Sequence, residues 1–350
     1  MSIFDCNDEM LGYHADEVTL GRKQQKEMRD RRDAGRTRLN KGLERDGHPK
    51  PAEQASQGSY AMRTMHQDPQ NDYDIDDAAY FEVADLKDAN GVALTPYAAR
   101  ERVCEALRQD DRLKHDADNK TNCVRQRYPE GYHIDIPVYR IIRGTDPNGN
   151  ETATYEHASG DNWTASDARA VTTWYNSEVG ELNSGAEDGS QLRRVTRLTK
   201  KQGRSRTAWK KKTTSGITMT KLTVDHFVAS ADRDDESLYL TWKAIHSALT
   251  ISTRVAHPVL QGKNLAEYGD AEVAYFRDRL GEALKDLAVI ESKDCTRAQA
   301  RAAWDKVFAT TYFGDRPSDD DDDKSARKRA PFVQVSGETA RRDDGDRRFG

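Results

Sequence analysis

Apolar positions along this chain recur with two periods. Up to residue 165, short runs rich in β-branched and aromatic residues alternate with polar ones, as strands require. Beyond it they return every three to four residues, as helices require. Residues 17–46 are an exception: highly charged, with Val18, Met28, Leu39 and Leu43 as a sparse stripe, they predict one long helix lying across other elements. Pro49 and Pro51 stop it. Then follow a short helix over 59–65, a strand over 73–81 and a helix over 96–109 opened by Pro96. Strands are predicted over 122–128 and 133–142, and Asn148-Gly149 predicts a hairpin turn with a return strand over 152–157. Helices are predicted over 166–179 (capped by Ser166), 191–201, 215–231, 236–252, 270–285 and 296–308. The class is α+β, with no internal repeat.

Composition narrows this picture. A chain of 350 residues can bury a core as one large domain or two coupled lobes. We expect a first unit over 1–165, a helical lobe over 166–313 and a disordered tail over 314–350, where an acidic block meets a basic one. The charged fraction of 33% and mean hydropathy of −0.95 agree with such a tail. A net charge of −5 gives no global case for nucleic acid or membrane. No apolar run approaches the ~18 residues of a span, and the N-terminus lacks the basic-then-apolar pattern of a signal peptide. Cys6, Cys104, Cys123 and Cys295 are far apart, without zinc-ligand spacing, and read as reduced thiols of a cytoplasmic protein.

Candidate chemistry lies in the strands. In YDIDD, Asp74 and Asp76 share one face and Ile75 points to the core. In YHIDIPVY, Ile134, Ile136 and Val138 share one face; His133, Asp135 and Tyr139 share the other. If the two strands are neighbours, three carboxylates converge, a costly arrangement unless cations neutralise them. Two magnesium ions are the usual solution and suit in-line phosphoryl chemistry; manganese is the substitute. A calcium loop starting at Asp72 does not fit, because Asp77 stands where its glycine belongs and Val83 where its last glutamate belongs. Gly58-Ser59, ahead of the paired aspartates, can cradle phosphate oxygens with its backbone amides and hydroxyl. The chain lacks the GxxxxGK[ST] of a P-loop.

Taken together, GSYAMR, YDIDDAAYF and YHIDIPVY resemble the bacterial CD-NTases, the cGAS-like cyclic oligonucleotide synthases of anti-phage (CBASS-type) signalling. The nearest branch is the one containing bacterial cyclic GMP–AMP synthase. The resemblance spans roughly residues 15–312. It implies a polymerase-β-like nucleotidyltransferase core, a mixed sheet with helices, bridged by a long N-terminal helix to a helical lobe. It assigns Asp74, Asp76 and Asp135 to the catalytic metals, and Gln57, Gly58 and Ser59 to the phosphates. It places Lys200 on the triphosphate, with Lys201 as fallback, and Ser215 near the second nucleotide. It implies a cytoplasmic monomer that takes ATP, GTP or other ribonucleoside triphosphates, releases pyrophosphate and needs no nucleic-acid activator. In some relatives the C-terminal residue is conjugated by a ubiquitin-ligase-like partner, and Gly350 suits that chemistry.

Residues 191–221 carry eleven Lys or Arg and no acid, so this stretch is a triphosphate wall, a solvated helix face or a nucleic-acid patch. Two other functions share these features. One is a transferase adding nucleotides to RNA, protein or a small molecule, which would not close a ring. The other is a binding protein without turnover, against which three intact carboxylates argue.

Overall fold

The structure, a computed structural model, describes residues 3–68, 74–108, 116–128, 131, 133–182 and 190–317. Asp72, Tyr73, Tyr132, Gly350 and nearly all of the tail lie outside them.

The chain opens with α1 (Asn7–Tyr13), a π-helical turn (His14–Val18) and α2 (Arg22–Arg45). The single helix expected over 17–46 is thus shorter at its start. Val18 and Thr19 are β-branched, and Gly21 is extended (φ −60°, ψ 148°), its N–H donating to the Gln24 side chain at 3.2 Å. The sheet strands are β1 (Glu53–Gln57), β2 (Asp74–Glu82), β3 (Asp118–Asn119), β4 (Val124–Arg127), β5 (His133–Ile136), β6 (Val138–Thr145), β7 (Glu151–Ser159) and β8 (Asn162–Ala165). Between them lie α3 (Gly58–Ala61) and α4 (Pro96–Arg108). The helix expected over 59–65 is only this one turn.

β2 is central. β1 pairs antiparallel along one edge, and β5 and β6 pair parallel along the other. Pro137, which has no N–H to donate, splits the strand expected over 133–142 into β5 and β6, yet the register against β2 continues across it. β4 and β7 extend the sheet antiparallel, and the Asn148-Gly149 hairpin joins β6 to β7 with Gly149 at φ +87°. On one face Ile75, Ala79 and Phe81 pack under Met28, Leu39 and Leu43 of α2 and Val103 and Leu107 of α4. The two helices approach so closely that a Cβ on Gly42 would lie 1.9 Å from the Ala106 carbonyl. On the other face Tyr80 stacks on Tyr139 at 4.7 Å.

From residue 168 the described residues are mainly helical: α5 (Ala168–Leu182), α6 (Ser190–Gly203), α7 (Gly216–Asp225), α8 (Asp234–Ile251), α9 (Ala271–Leu287) and α10 (Arg297–Phe308). Asp167, not Ser166, caps α5, accepting from the Ala170 N–H at 2.8 Å. α7 ends at Asp225 rather than running to 231. The helical core holds Trp242, Trp304, Phe308 and Phe313, and α1 packs into it through Met10 and Tyr13. Buried Glu9 fixes α1 there by accepting from Arg297 (2.7 Å) and Arg301 (3.0 Å). The chain therefore crosses between the two cores near Thr19: Val18 lies in the helical one and Leu20 in the one under the sheet. The result is a mixed sheet with helices on a helical lobe. All four cysteines are buried free thiols, and no helix among the described residues is long and apolar enough to cross a membrane.

Candidate active site

The parallel β2–β5 pairing sets Asp74 opposite His133 and Asp76 opposite Asp135. In parallel strands paired residues point to the same face, so all four side chains leave the sheet together. The three sequence-predicted carboxylates are thus brought together. The His133 Nε2 is 3.8 Å from an oxygen of Asp74 and 3.8 Å from one of Asp135. Ligand atoms of Asp74, His133 and Asp135 all lie within 4.8 Å of one another. Burial and the neighbouring Asp135 raise the Asp74 carboxyl above its usual range. Burial, with Asp74 and Asp135 beside it, pushes Asp76 up much further. Crowded, desolvated acids of this kind are the expected signature of a divalent-cation site, and oxygen-rich donors fit magnesium or manganese.

Two residues at this site escaped the sequence reading. Arg125 on β4 faces Asp135 across the antiparallel pair and binds it bidentately at 2.8 and 2.7 Å. Only the β4–β5 register reveals it. His133 is an active-site neighbour that the strand parity placed on the right face without giving it a role. Asp77 points to the opposite face, where Arg36 of α2 holds it bidentately at 2.8 and 2.6 Å and the Ser56 hydroxyl donates at 2.9 Å. The third acid of DIDD is therefore a clamp between β2, the long helix and β1.

Gly58 follows β1 at φ +65°, which L side chains rarely adopt, and a Cβ there would lie 2.2 Å from the Asp76 carboxylate. Only glycine lets the turn approach this acid. Gln57 is paired with Asp76 across the β1–β2 ladder, and its buried Oε1 has no hydrogen-bond partner among the described residues. Ser59 is the second residue of α3, its carbonyl accepting from the Thr64 N–H at 2.8 Å. Met62 then packs against Tyr175, Val179, Leu192 and Val224, which seats the turn on α5, α6 and α7.

α6 closes the cleft. Lys200 is 4% exposed and donates to the Thr64 hydroxyl at 2.8 Å. Burial, with Arg204 and Arg197 close by, pulls its ammonium down to about 7, while Asp74 draws it back up. Through Thr64, whose N–H donates to the Ser59 carbonyl at 2.8 Å, Lys200 is joined to the Gly-Ser turn. Lys201 instead donates to the Glu17 and Gln67 carbonyls at 3.0 and 3.2 Å. The exposed Ser215 caps α7, accepting from the Thr218 N–H at 3.3 Å, next to Gly216 and within reach of the Lys200 and Arg204 side chains.

Residues 52–139 match the family model described as the nucleotidyltransferase domain of the cyclic GMP-AMP synthase DncV-like proteins. This stretch is similar to a DncV-like nucleotidyltransferase domain. It runs from the strand before the Gly-Ser turn to just past the third aspartate. Its fold is shared across the chain with solved structures. Vibrio cholerae DncV cyclic AMP-GMP synthase with nonhydrolyzable GTP superposes with a TM-score of 0.69 at 17% identity, over 88% of this chain and 97% of that one. The same enzyme with the linear intermediate 5′ pppA(3′,5′)pG gives 0.67 at 16% identity, over 92% and 98%. Escherichia coli DncV with 3′-deoxy GTP gives 0.67 at 15%, over 89% and 98%. The resemblance to the bacterial CD-NTases holds in the motifs of the nucleotidyltransferase domain and in the fold of the chain.

Proposed function

We propose that this protein is a cyclic oligonucleotide synthase that joins ribonucleoside triphosphates, with ATP and GTP as favoured substrates and a cyclic GMP–AMP-like product, as a second messenger of anti-phage defence. The observation that carries the reading is the convergence of Asp74, Asp76 and Asp135 from β2 and β5 against the Gly58 turn. Similarity to DncV structures holding a GTP analogue and a linear dinucleotide supports it.

Asp74, Asp76 and Asp135 would hold two magnesium or manganese ions, which neutralise the carboxylates and the transferring phosphate and acidify the attacking hydroxyl. The Gly58 turn and the Ser59 hydroxyl receive the triphosphate of the donor nucleotide, and Lys200 balances its charge from the opposite wall. Arg125 keeps Asp135 oriented; a carboxylate oxygen has lone pairs enough to accept a guanidinium and still ligate. A ribose hydroxyl of the second nucleotide then forms a bond to the α-phosphorus in line, and the bond to pyrophosphate breaks. Positioning and charge neutralisation supply most of the rate. Repetition with the linear product folded back into the same cleft closes the ring.

Mass spectrometry of products from the purified protein with all four ribonucleoside triphosphates and magnesium or manganese tests the reading. The expected result is a cyclic product containing adenine and guanine, with pyrophosphate. Linear tails on added RNA, adducts on protein, or nucleotide binding without pyrophosphate would replace it with one of the competing functions. Phage challenge of cells carrying the Asp74→Asn, Asp76→Asn double variant tests the defence role: protection should be lost.

A further inference from the structure

The basic stretch over 191–221 can now be sorted residue by residue. Arg193 donates to Asn176, Arg194 to Asp234, Arg197 to the Arg63 carbonyl, and Lys210 to Asp68. Arg206 donates to the Lys306 and Val307 carbonyls, Lys201 to Glu17 and Gln67, and Lys221 pairs with Asp225. Arg197, Lys201 and Lys210 tie the helical lobe to the strap over residues 63–68 and to the π-helical turn; the others pair within the helical lobe. Arg204 differs from them: it is exposed, and no hydrogen bond or ion pair holds its guanidinium among the described residues. It follows the end of α6, its N–H donating to the Lys200 carbonyl at 3.2 Å. Its guanidinium and the Lys200 side chain flank one point: a Cβ on Gly216 would lie 3.6 Å from the one and 3.8 Å from the other. Lys200 in turn donates to Thr64, whose N–H donates to the Ser59 carbonyl at 2.8 Å, so the two cations stand together beside the Gly-Ser turn.

We propose that Arg204 is a second triphosphate-binding cation, which grips the terminal phosphates of the bound nucleoside triphosphate while Lys200 neutralises them from below. The inference rests on the nucleotidyltransferase reading and adds a residue to it. An ammonium is a point charge, whereas a guanidinium offers a planar fork that matches phosphate oxygens. An unengaged arginine at the rim of a cleft that already holds a buried lysine is suited to capture a polyanion. It would favour triphosphates over monophosphates, since only the former reach it.

Isothermal titration of the full chain in magnesium, with nonhydrolysable ATP and GTP analogues and with AMP and GMP, tests this. Because Arg204 is exposed and makes no such contact, Arg204→Ala should leave the melting temperature unchanged. The triphosphate analogues should bind roughly ten- to a hundred-fold more weakly, as for loss of a charge-assisted hydrogen bond, and the monophosphates equally well. Arg204→Lys should recover part of the loss. Lys211→Ala, which removes the same charge from an exposed neighbouring site, should change little. Equal losses for Arg204→Ala and Lys211→Ala, or for mono- and triphosphates, would overturn the assignment and leave the proposed reaction standing. Failure of the unmodified protein to bind any triphosphate would overturn both.

Discussion

Two side chains at the site, Asp76 and Lys200, are held in charged states that cost stability. Asp76 carries a carboxyl whose folded pKa lies well above its unfolded one. The folded state then holds the proton more tightly, so stability falls as pH rises from the ordinary aspartate range toward the folded pKa, and the penalty persists at higher pH. Asp76→Asn should therefore raise the melting temperature of the chelator-treated protein near neutral pH by a few degrees, on the order of 1 kcal/mol, while abolishing product. A lowered melting temperature would contradict the crowding. Lys200 has the opposite shift, down to about 7. Its penalty is complete below that pH and is relieved as pH climbs toward the ordinary lysine value. Lys200→Met should melt higher than the parent near pH 7 and lose that advantage only above pH ~11, where both states are neutral. Differential scanning fluorimetry across pH reads this directly, and the same variant should bind triphosphates poorly.

At the scale of elements, β2 is gripped on both faces. Gly58 bears on Asp76 from the cleft side, and Arg36 and Ser56 hold Asp77 from the helix side. Gly58→Ala must adopt a left-handed backbone and displace the Asp76 carboxylate. We expect about 1–3 kcal/mol of destabilisation and a loss of activity larger than stability explains. Asp77 is 5% exposed, so Arg36→Met strands a buried charge and should cost roughly 3–5 kcal/mol. The Arg36→Met, Asp77→Leu double variant should regain much of that in denaturant melts; additive losses would show that the pair is not coupled. The parity of alternating residues made this face-sharing legible in advance: Ile75 inward, Asp74 and Asp76 together, Asp135 beside His133. The clamp on Asp77 was not legible, because Arg36 is forty-one residues away in sequence and belongs to a helix rich in similar arginines.

For the whole molecule, the cleft depends on one strap. Residues 63–68 leave the Gly-Ser turn and are pinned to the helical lobe by Arg197, Lys200, Lys201 and Lys210. Lys210→Ala removes the partner of the largely buried Asp68, which it meets at 2.6 Å. Hydrogen exchange should then quicken over 63–68 and α6 while β2 stays protected. Unchanged exchange would mean that the Lys210–Asp68 pair does not hold the strap.

Periodicity and strand parity, which depend only on neighbours along the chain, determined the element types, the face shared by the acids and the glycine turn before them. The carboxylates were recognisable because a metal site needs several acids of one kind in a fixed pattern, and that pattern is local. What only the tertiary structure decided is which charges meet across distance. Register set Arg125 against Asp135, helix packing set Arg36 against Asp77, and lobe docking turned Arg197, Lys200, Lys201 and Lys210 of the basic stretch into structural ties. A cation's role depends on which anion or carbonyl lies within about 3 Å of it, and no pattern along the chain encodes that distance.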